Sequence, residues 1–166
     1  YIARFVKNRP VTVVTVVHRW QGLLVCKANP KGIQSVRDLA RADVRFINRQ
    51  AGSGTRVLLD YELSRAQIAA EAIHGYTSEE YTHMNVAMAV ASGRADTGLG
   101  IMAASRALDL DFIPVTRERY DFVIPTELIA GENVRALLDL IQSAEFRREV
   151  CAMGGYEVEE SGKVVN

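Results

Sequence analysis

The chain has 166 residues, of which 48% are hydrophobic and 24% are charged, and this composition is typical of a folded globular protein rather than a disordered or fibrous one. Lys plus Arg and Asp plus Glu number 20 each, so the formal net charge is zero. A chain without a basic excess is not expected to bind nucleic acid or an anionic membrane through its overall charge. Any anion that this protein binds must therefore be held by a local arrangement of groups.

The length of the apolar segments and the spacing of the cysteines further limit the class of protein. The longest apolar run, residues 11–17, includes two threonines and is far shorter than the roughly 20 residues of a membrane-spanning helix. Cys26 and Cys151 are far apart and match neither metal-ligand nor small-scaffold disulfide spacing, so both are predicted to be buried, reduced thiols. Reduced thiols favour a cytoplasmic location, whereas a signal peptide upstream of Tyr1 would indicate a periplasmic one.

Apolar runs, capping residues and the positions of Gly and Pro predict alternating strands and helices. The predicted strands are residues 11–17, 23–26, 44–48, 96–99, 111–115 and 120–124. The predicted helices are residues 36–41, 55–64, 66–74, 86–92, 101–108 and 134–153, the first with a Ser35/Asp38 capping box and the last divided at Ser143. This alternation is typical of an α/β protein with a mostly parallel sheet.

The most informative segment is NRQAGSGTR, residues 48–56, which follows an apolar strand and opens a helix. Its glycines allow the backbone to approach a ligand closely, and its hydroxyls add donors to the free N–H groups of the first helical turn. The helix dipole favours a negative charge at this point, and an arginine can close on it. The segment therefore predicts an anion-binding helix start with these candidate contacts: Arg49, Gly52, Ser53, Gly54, Thr55 and Arg56.

The same segment also has a purely structural interpretation, in which it is a glycine-rich turn and Ser53 only caps the helix. It matches the phosphate-binding loop of nucleotide hydrolases poorly, because no lysine follows the glycines. It also matches the serine-hydrolase elbow G-x-S-x-G poorly, because both glycines stand directly beside Ser53. The anion site is the favoured interpretation, and no catalytic residue is predicted.

Two further sets of residues are candidate ligand contacts. Thr82, His83 and Asn85 stand at the start of a predicted helix, where they either present another set of N–H groups to a ligand or serve as ordinary caps. His83 has no nearby histidine or carboxylate pair, so no metal site is predicted. Tyr120 begins a predicted strand, where its phenol either donates to an anion or packs in the core.

Residues 98–103, GLGIMA, formally match the dinucleotide fingerprint G-x-G-x-x-A. That fingerprint requires a strong apolar strand directly before it, and residues 94–97 are not apolar. Dinucleotide binding is therefore a minor alternative.

Three stretches together resemble the periplasmic-binding-protein-like domain of molybdate-related bacterial and archaeal proteins. They are GLLVCKANPKGIQSVRDLA, FINRQAGSGTRVLLDYEL, and VAMAVASGRADTGLGIMAAS followed by DFIPVTRERYDFVIP. The resemblance implies the type II solute-binding fold, an α/β fold whose two lobes have mostly parallel sheets and are joined by crossing strands. It assigns residues 1–22 and 116–166 to an N-terminally truncated first lobe and residues 23–115 to the second lobe, with the ligand between them.

Members of this family occur behind a winged-helix DNA-binding domain or fused to molybdopterin molybdenumtransferase. NRQAGSGTR resembles the SRG-x-x-SGT loop of tungstate-binding proteins, which maps Arg49, Ser53 and Thr55 onto oxyanion contacts, while Gln50, Ala51 and Gly52 depart from that pattern. The resemblance implies a binding or sensing domain for molybdate or tungstate, with no cofactor and no direct contact with nucleic acid.

Two alternative functions stay open at this point. One is an accessory domain of a molybdenumtransferase, and the other is a domain that binds a small organic effector. The truncated first lobe would expose a sheet edge, which favours a homodimer or strand exchange.

Overall fold

The computed structural model describes Val6 and residues 9–165, which divide into two compact units. The central unit is Trp20–Thr116, and the terminal unit combines the residues up to Arg19 with those from Arg117 onward. Residues 1–5, 7, 8 and 166 lie outside the described residues, and with them the start of the predicted first lobe.

The elements alternate along the chain as an α/β sequence. The strands are β1 Val11–Val25, β2 Phe46–Arg49, β3 Glu79–Glu80, β4 Thr97–Ile101, β5 Asp111–Pro125, β6 Tyr156–Glu157 and β7 Val164–Val165. The α-helices are α1 Gly54–Ala66, α2 His83–Ala91, α3 Met102–Ala107, α4 Glu132–Gln142 and α5 Ala144–Met153, and short 3-10 helices lie at Val36–Ala40, Ala70–Ala72 and Thr126–Leu128. In the part of the chain that the structure covers, no helix is long and apolar enough to cross a lipid bilayer.

The strand order is β3-β2-β4-β1-β5, with β6 and β7 also paired to β1. β2 is parallel to both β3 and β4, whereas β1 is antiparallel to β4, β6 and β7. The prediction of a mostly parallel sheet is therefore correct for β3-β2-β4 and wrong for these pairings of β1. The three parallel strands end at one edge of the sheet, and a helix follows each of them.

β1 and β5 are each one continuous strand where the sequence predicts two. The polar residues that suggested a break in β1 have partners on the sheet: His18 and Arg19 pair with β6, and Gln21 and Gly22 pair with β4. Two of the side chains also have polar partners: Nε2 of His18 lies 3.5 Å from Oε2 of Glu160, and Arg19 forms an ion pair with Glu118. Polarity alone is therefore a poor signal for the end of a strand.

Two other predictions are wrong. Only a short 3-10 helix, Ala70–Ala72, forms within the predicted helix over residues 66–74, because Gln67 takes a left-handed conformation with φ of 58° and ends α1. Cys151 is exposed on α5 rather than buried, while Cys26 is partly buried and donates to the carbonyl of Val90. Both cysteines are free thiols.

Two predicted helix signals are confirmed. Ser35 and Asp38 form the predicted capping box at the start of the first 3-10 helix, and hydrogen bonds from the backbone N–H groups of Gln34 and Ser35 hold the pKa of the Asp38 carboxyl below its usual value. Ser143 ends α4 and caps α5, as predicted.

Two hydrophobic clusters cover opposite faces of the central sheet. In one, Leu59 and Leu63 of α1 pack with residues that include Leu23 and Phe46. In the other, α2 packs with Leu24 and Ile47, which directly follow Leu23 and Phe46 in the chain. Because successive side chains of a strand point to opposite faces, α1 and α2 lie on opposite sides of the sheet. The terminal unit has its own core, which contains Val14, Val16, Val17, Ile124, Ile141 and Val158.

An ion pair joins the starts of β2 and β4. Nη2 of Arg45 lies 2.9 Å from Oδ1 of Asp96, and the backbone N–H of Arg45 donates to Oδ2 at 2.8 Å. These hydrogen bonds from Arg45 hold the pKa of the Asp96 carboxyl below its usual value. A carboxyl whose pKa is lowered by folding stabilises the fold fully above its unfolded pKa of about 4, and this contribution is lost as the pH falls through the folded pKa.

We expect Asp96→Asn to lower the free energy of unfolding by about 1 kcal/mol at neutral pH, because the pair is partly exposed. Urea unfolding in steps from about pH 7 to about pH 2.5 should show the difference from the wild type shrinking below about pH 4. A difference in the free energy of unfolding that stays constant over this pH range would show that the ionised Asp96 carboxyl does not stabilise the fold.

Candidate functional site

The parallel pairing of β2 and β3 brings two helix starts to one edge of the sheet. Arg49, the last residue of β2, lies opposite Glu80, the last residue of β3. The chain enters α1 at Gly54 and α2 at His83, a few residues beyond these strand ends. We call residues 49–56 and 81–85 the helix-start site. Ligands of open α/β sheets bind outside the carboxyl ends of parallel strands, so this edge is the candidate site.

The start of α1 presents several hydrogen-bond donors. Ser53 caps the helix, and its Oγ accepts from the N–H of Arg56 at 3.2 Å. Within residues 9–165, the N–H groups of Gly54 and Thr55 have no acceptor. A Cβ at Gly52 or Gly54 would meet nothing within 4 Å, so the loop faces open space. This arrangement suits an anion that accepts from the first helical turn.

The start of α2 repeats the arrangement. Thr82 caps it, and its Oγ1 accepts from the N–H of Asn85 at 3.0 Å. In the described part of the chain, the N–H of Met84 likewise has no acceptor. The ring of His83 lies beside β4, because Nδ1 would be 3.7 Å from a Cβ at Gly100. The residue that the sequence suggests as a ligand contact is thus partly a packing residue.

Both arginines of the motif bind protein groups. Nη2 of Arg49 donates to the carbonyl of Tyr81 at 3.0 Å, which ties the loop after β2 to the loop after β3. Nη1 of Arg56 donates to Oε1 of Glu79 at 2.9 Å, and its Nε donates to Oδ1 of Asp60 at 3.2 Å. The positive charge of Arg56 is therefore shared with two carboxylates.

The structure places all of the predicted contacts except Tyr120 in the central unit. Tyr120 belongs to the terminal unit, where its half-exposed ring lies under the guanidinium of Arg19, with the Arg19 Cζ 4.9 Å from the ring centroid. This cation–π contact packs the Tyr120 ring against Arg19 within its own unit.

Sequence reasoning did not identify the residues that surround Arg56. Asp60 has a recognisable signal, because it follows Arg56 by four residues on the same helical face. Tyr76 and Glu79 have none, since they reach Arg56 only through the fold. Burial and the hydrogen bond to Asp60 raise the pKa of the Tyr76 phenol, so it stays protonated and donates to Asp60 at neutral pH.

A second concavity lies at the opposite, amino-terminal end of β2. It has a volume of about 370 Å³ and is lined in part by Arg45 and Arg94. These arginines are paired with Asp96 and Glu80, so they add no net positive charge. Among the described residues, no group of three or more His, Cys, Asp or Glu side chains could hold a metal ion.

Comparison with protein families gives a match over most of the chain: residues 1–142 match the model of the PBP superfamily domain. The protein YvgK of Bacillus subtilis is 38% identical over 166 residues, which cover 99% of this chain and 53% of that protein. A protein from the 5′ region of the 2Fe-2S ferredoxin gene of Clostridium pasteurianum is 36% identical and is covered over 97% of its length, against 66% of this chain. The chain thus spans about half the length of YvgK.

Solved structures share the fold at low sequence identity. The regulatory domain of CcmR from Synechocystis, in complex with 2-PG, has a TM-score of 0.64 at 14% identity, covering 81% of this chain and 67% of that one. A putative phosphate transporter substrate-binding protein from Clostridium perfringens, with bound phosphate, has a TM-score of 0.60 at 15% identity, with coverages of 89% and 71%. The substrate-binding domain of a putative molybdenum transporter from Clostridium difficile has a TM-score of 0.57 at 16% identity, with coverages of 88% and 66%. The type II periplasmic-binding-protein-like α/β fold is therefore confirmed.

We expect Gly98→Ala to displace α2 from the sheet, because the new Cβ would lie 2.5 Å from Cγ1 of Val86 and 2.8 Å from the carbonyl oxygen of Ile47. Such overpacking should lower the free energy of unfolding by about 2 kcal/mol in a urea titration. Gly54→Ala is the matched control and should change it by no more than about 0.5 kcal/mol, since its Cβ meets nothing. Equal stabilities of the two variants would contradict the close approach of α2 to β4.

Proposed function

This chain belongs to the PBP superfamily, and we propose that it is a domain that binds a small oxyanion, molybdate or tungstate, at the helix-start site. The observation that carries the proposal is the pair of capped helix starts at one sheet edge, where the N–H groups of Gly54, Thr55 and Met84 are available. Two helix dipoles and several N–H donors favour an anion at that edge.

The donors and acceptors of the site favour an anion that carries no proton. The groups described at the two starts are backbone N–H groups and hydroxyls, while the nearby carboxylates of Asp60 and Glu79 bind Arg56. Phosphate keeps a proton at neutral pH and would need a hydroxyl oxygen of the site to accept it, whereas molybdate and tungstate, like sulfate, only accept and can use every donor. The proteins with the same fold include a domain of a putative molybdenum transporter and a putative phosphate-binding protein with bound phosphate, so both anions belong in the test.

In this proposal Arg49, Ser53 and Thr55 contact or frame the oxyanion, and Gly52 and Gly54 allow its close approach. Thr82, His83 and Asn85 form the second side of the helix-start site. The assignment of the terminal and central units to a first and a second lobe belongs to the proposal as well. So does a role in molybdenum metabolism or its regulation, with the accessory domain of a molybdenumtransferase as the alternative context.

A small organic anion is the second candidate ligand. The solved CcmR regulatory domain, which has the same fold, is in complex with 2-PG. Two separate helix starts can hold two anionic groups of one molecule, which a single tetrahedral anion does not require. The choice between the two ligands is decided by comparing them on the same protein.

We expect molybdate or tungstate to raise the melting temperature more than sulfate, phosphate or 2-PG. A ligand at about 100 times its dissociation constant adds about 2.7 kcal/mol, which corresponds to roughly 5 to 10 °C for a chain of this size. A larger shift with 2-PG would favour the organic-anion alternative. No shift with any of these anions would contradict the proposed function.

We expect Thr55→Val to weaken molybdate binding about tenfold, because the variant keeps the shape of the side chain and loses one hydroxyl donor to an anion. Thr77→Val is the control for the same chemical change outside the helix-start site: Thr77 lies in the same unit and is exposed, whereas Thr55 is buried. Isothermal titration calorimetry on both variants measures the effect. Equal dissociation constants for Thr55→Val and Thr77→Val would remove Thr55 from the site.

A further inference from the structure

Arg56 connects the two sides of the helix-start site. Its side chain is only 12% exposed, although it belongs to the first turn of α1 beside an open loop. Its Nη1 donates to Glu79 of β3, the strand that leads into α2, and to the carbonyl of Arg49 at 3.4 Å. One guanidinium therefore links the start of α1, the end of β2 and the strand before α2.

The rest of the Arg56 side chain is fixed as well. Its Cζ lies 4.1 Å from the centroid of the Tyr76 ring, and its Nε binds Asp60 one turn further along α1. The Tyr76 hydroxyl donates to the same Oδ1 of Asp60 at 2.7 Å, which closes a ring of contacts. A guanidinium held by an aromatic face and two carboxylates has little freedom to move toward a ligand.

The charges around Arg56 also argue against direct contact between its guanidinium and an anion. Asp60 and Glu79 carry two negative charges against the single positive charge of Arg56, so this group has a net charge of −1 and adds no net attraction for an anion. What it supplies is a fixed distance between two sets of N–H donors. Donors act on an anion most strongly when their geometry is set before the ligand arrives.

We propose that Arg56 is a positioning residue, which holds the start of α1 against the strand leading into α2 through Glu79, Asp60 and Tyr76, and does not itself contact the anion. The changes in molybdate binding that this inference predicts rest on the proposed oxyanion function. The changes in amide hydrogen exchange that it predicts do not depend on any ligand.

Glu79→Gln gives opposite results for a positioning and a contact role. If Arg56 bound the anion directly, removing the nearby negative charge would tighten molybdate binding. In a positioning role the variant loses its charged tether, and molybdate should bind about five- to tenfold more weakly. Glu62→Gln is the matched control, since Glu62 lies on α1 and pairs with Arg65 instead. Binding that is tighter or unchanged in Glu79→Gln overturns the inference.

Arg56→Lys keeps the positive charge and loses the forked geometry, so one ammonium cannot bind Asp60, Glu79 and the Arg49 carbonyl together. We expect it to weaken molybdate binding about as much as Arg56→Gln does. If Arg56→Lys retains wild-type affinity while Arg56→Gln loses it, charge rather than position is what matters, and the inference is wrong.

Amide hydrogen exchange tests the coupling without ligand. The reporters are the N–H groups of Arg56 and Val57 in α1, which bind Ser53, and those of Asn85 and Val86 in α2, which bind Thr82. Glu79→Gln should speed exchange at both helix starts, and Glu62→Gln at neither. Faster exchange confined to α1, or none, overturns the inference even if the wild type binds molybdate. Absence of anion binding with faster exchange at both starts would instead contradict only the proposed function.

Discussion

The parallel pairing of β2 with β3 is the constraint on which the candidate site depends. It consists of only two residue pairs, Asn48 with Glu79 and Arg49 with Glu80. So short a strand cannot fix the relative position of two helices through its ladder alone, and side chains reinforce it. Arg49 reaches the carbonyl of Tyr81, and Arg56 reaches Glu79. The alignment of the two strand ends and the alignment of the two helix starts therefore depend on the same pairing and side-chain contacts.

Close packing of α2 on the sheet also helps to fix the position of its helix start. α2 approaches β2 and β4 so closely that Gly98 has no room for a Cβ beside Val86 and Ile47. α1 packs on the opposite face through Leu59 and Leu63. With a helix on each face, the positive ends of both helix dipoles lie at the carboxyl edge, and each helix start is held by the packing of its helix on the sheet.

Much of this arrangement follows from local sequence signals. Ser53 is a recognisable cap and the glycines around it mark a strand-to-helix turn, so the start of α1 was predicted. The start of α2 was predicted at residue 86, but the helix begins at His83, because Thr82 caps it. The continuity of β1 and β5 was not predicted, because polar residues in a strand are stabilised by partners distant in sequence. The contacts of Arg56 with Tyr76 and Glu79 were missed for the same reason. Local sequence patterns are enough to predict caps and turns. Which charged side chains form pairs across the structure depends on the fold.

The central claim is that an oxyanion is held by the first N–H groups of α1 and α2. Its most direct test is an amide NMR titration of the protein with molybdate. The account predicts that the largest, saturable shifts occur at the amides of Gly54, Thr55 and Met84, with smaller shifts elsewhere in the central unit. Saturable shifts that leave these three amides unchanged and cluster at another surface would contradict it.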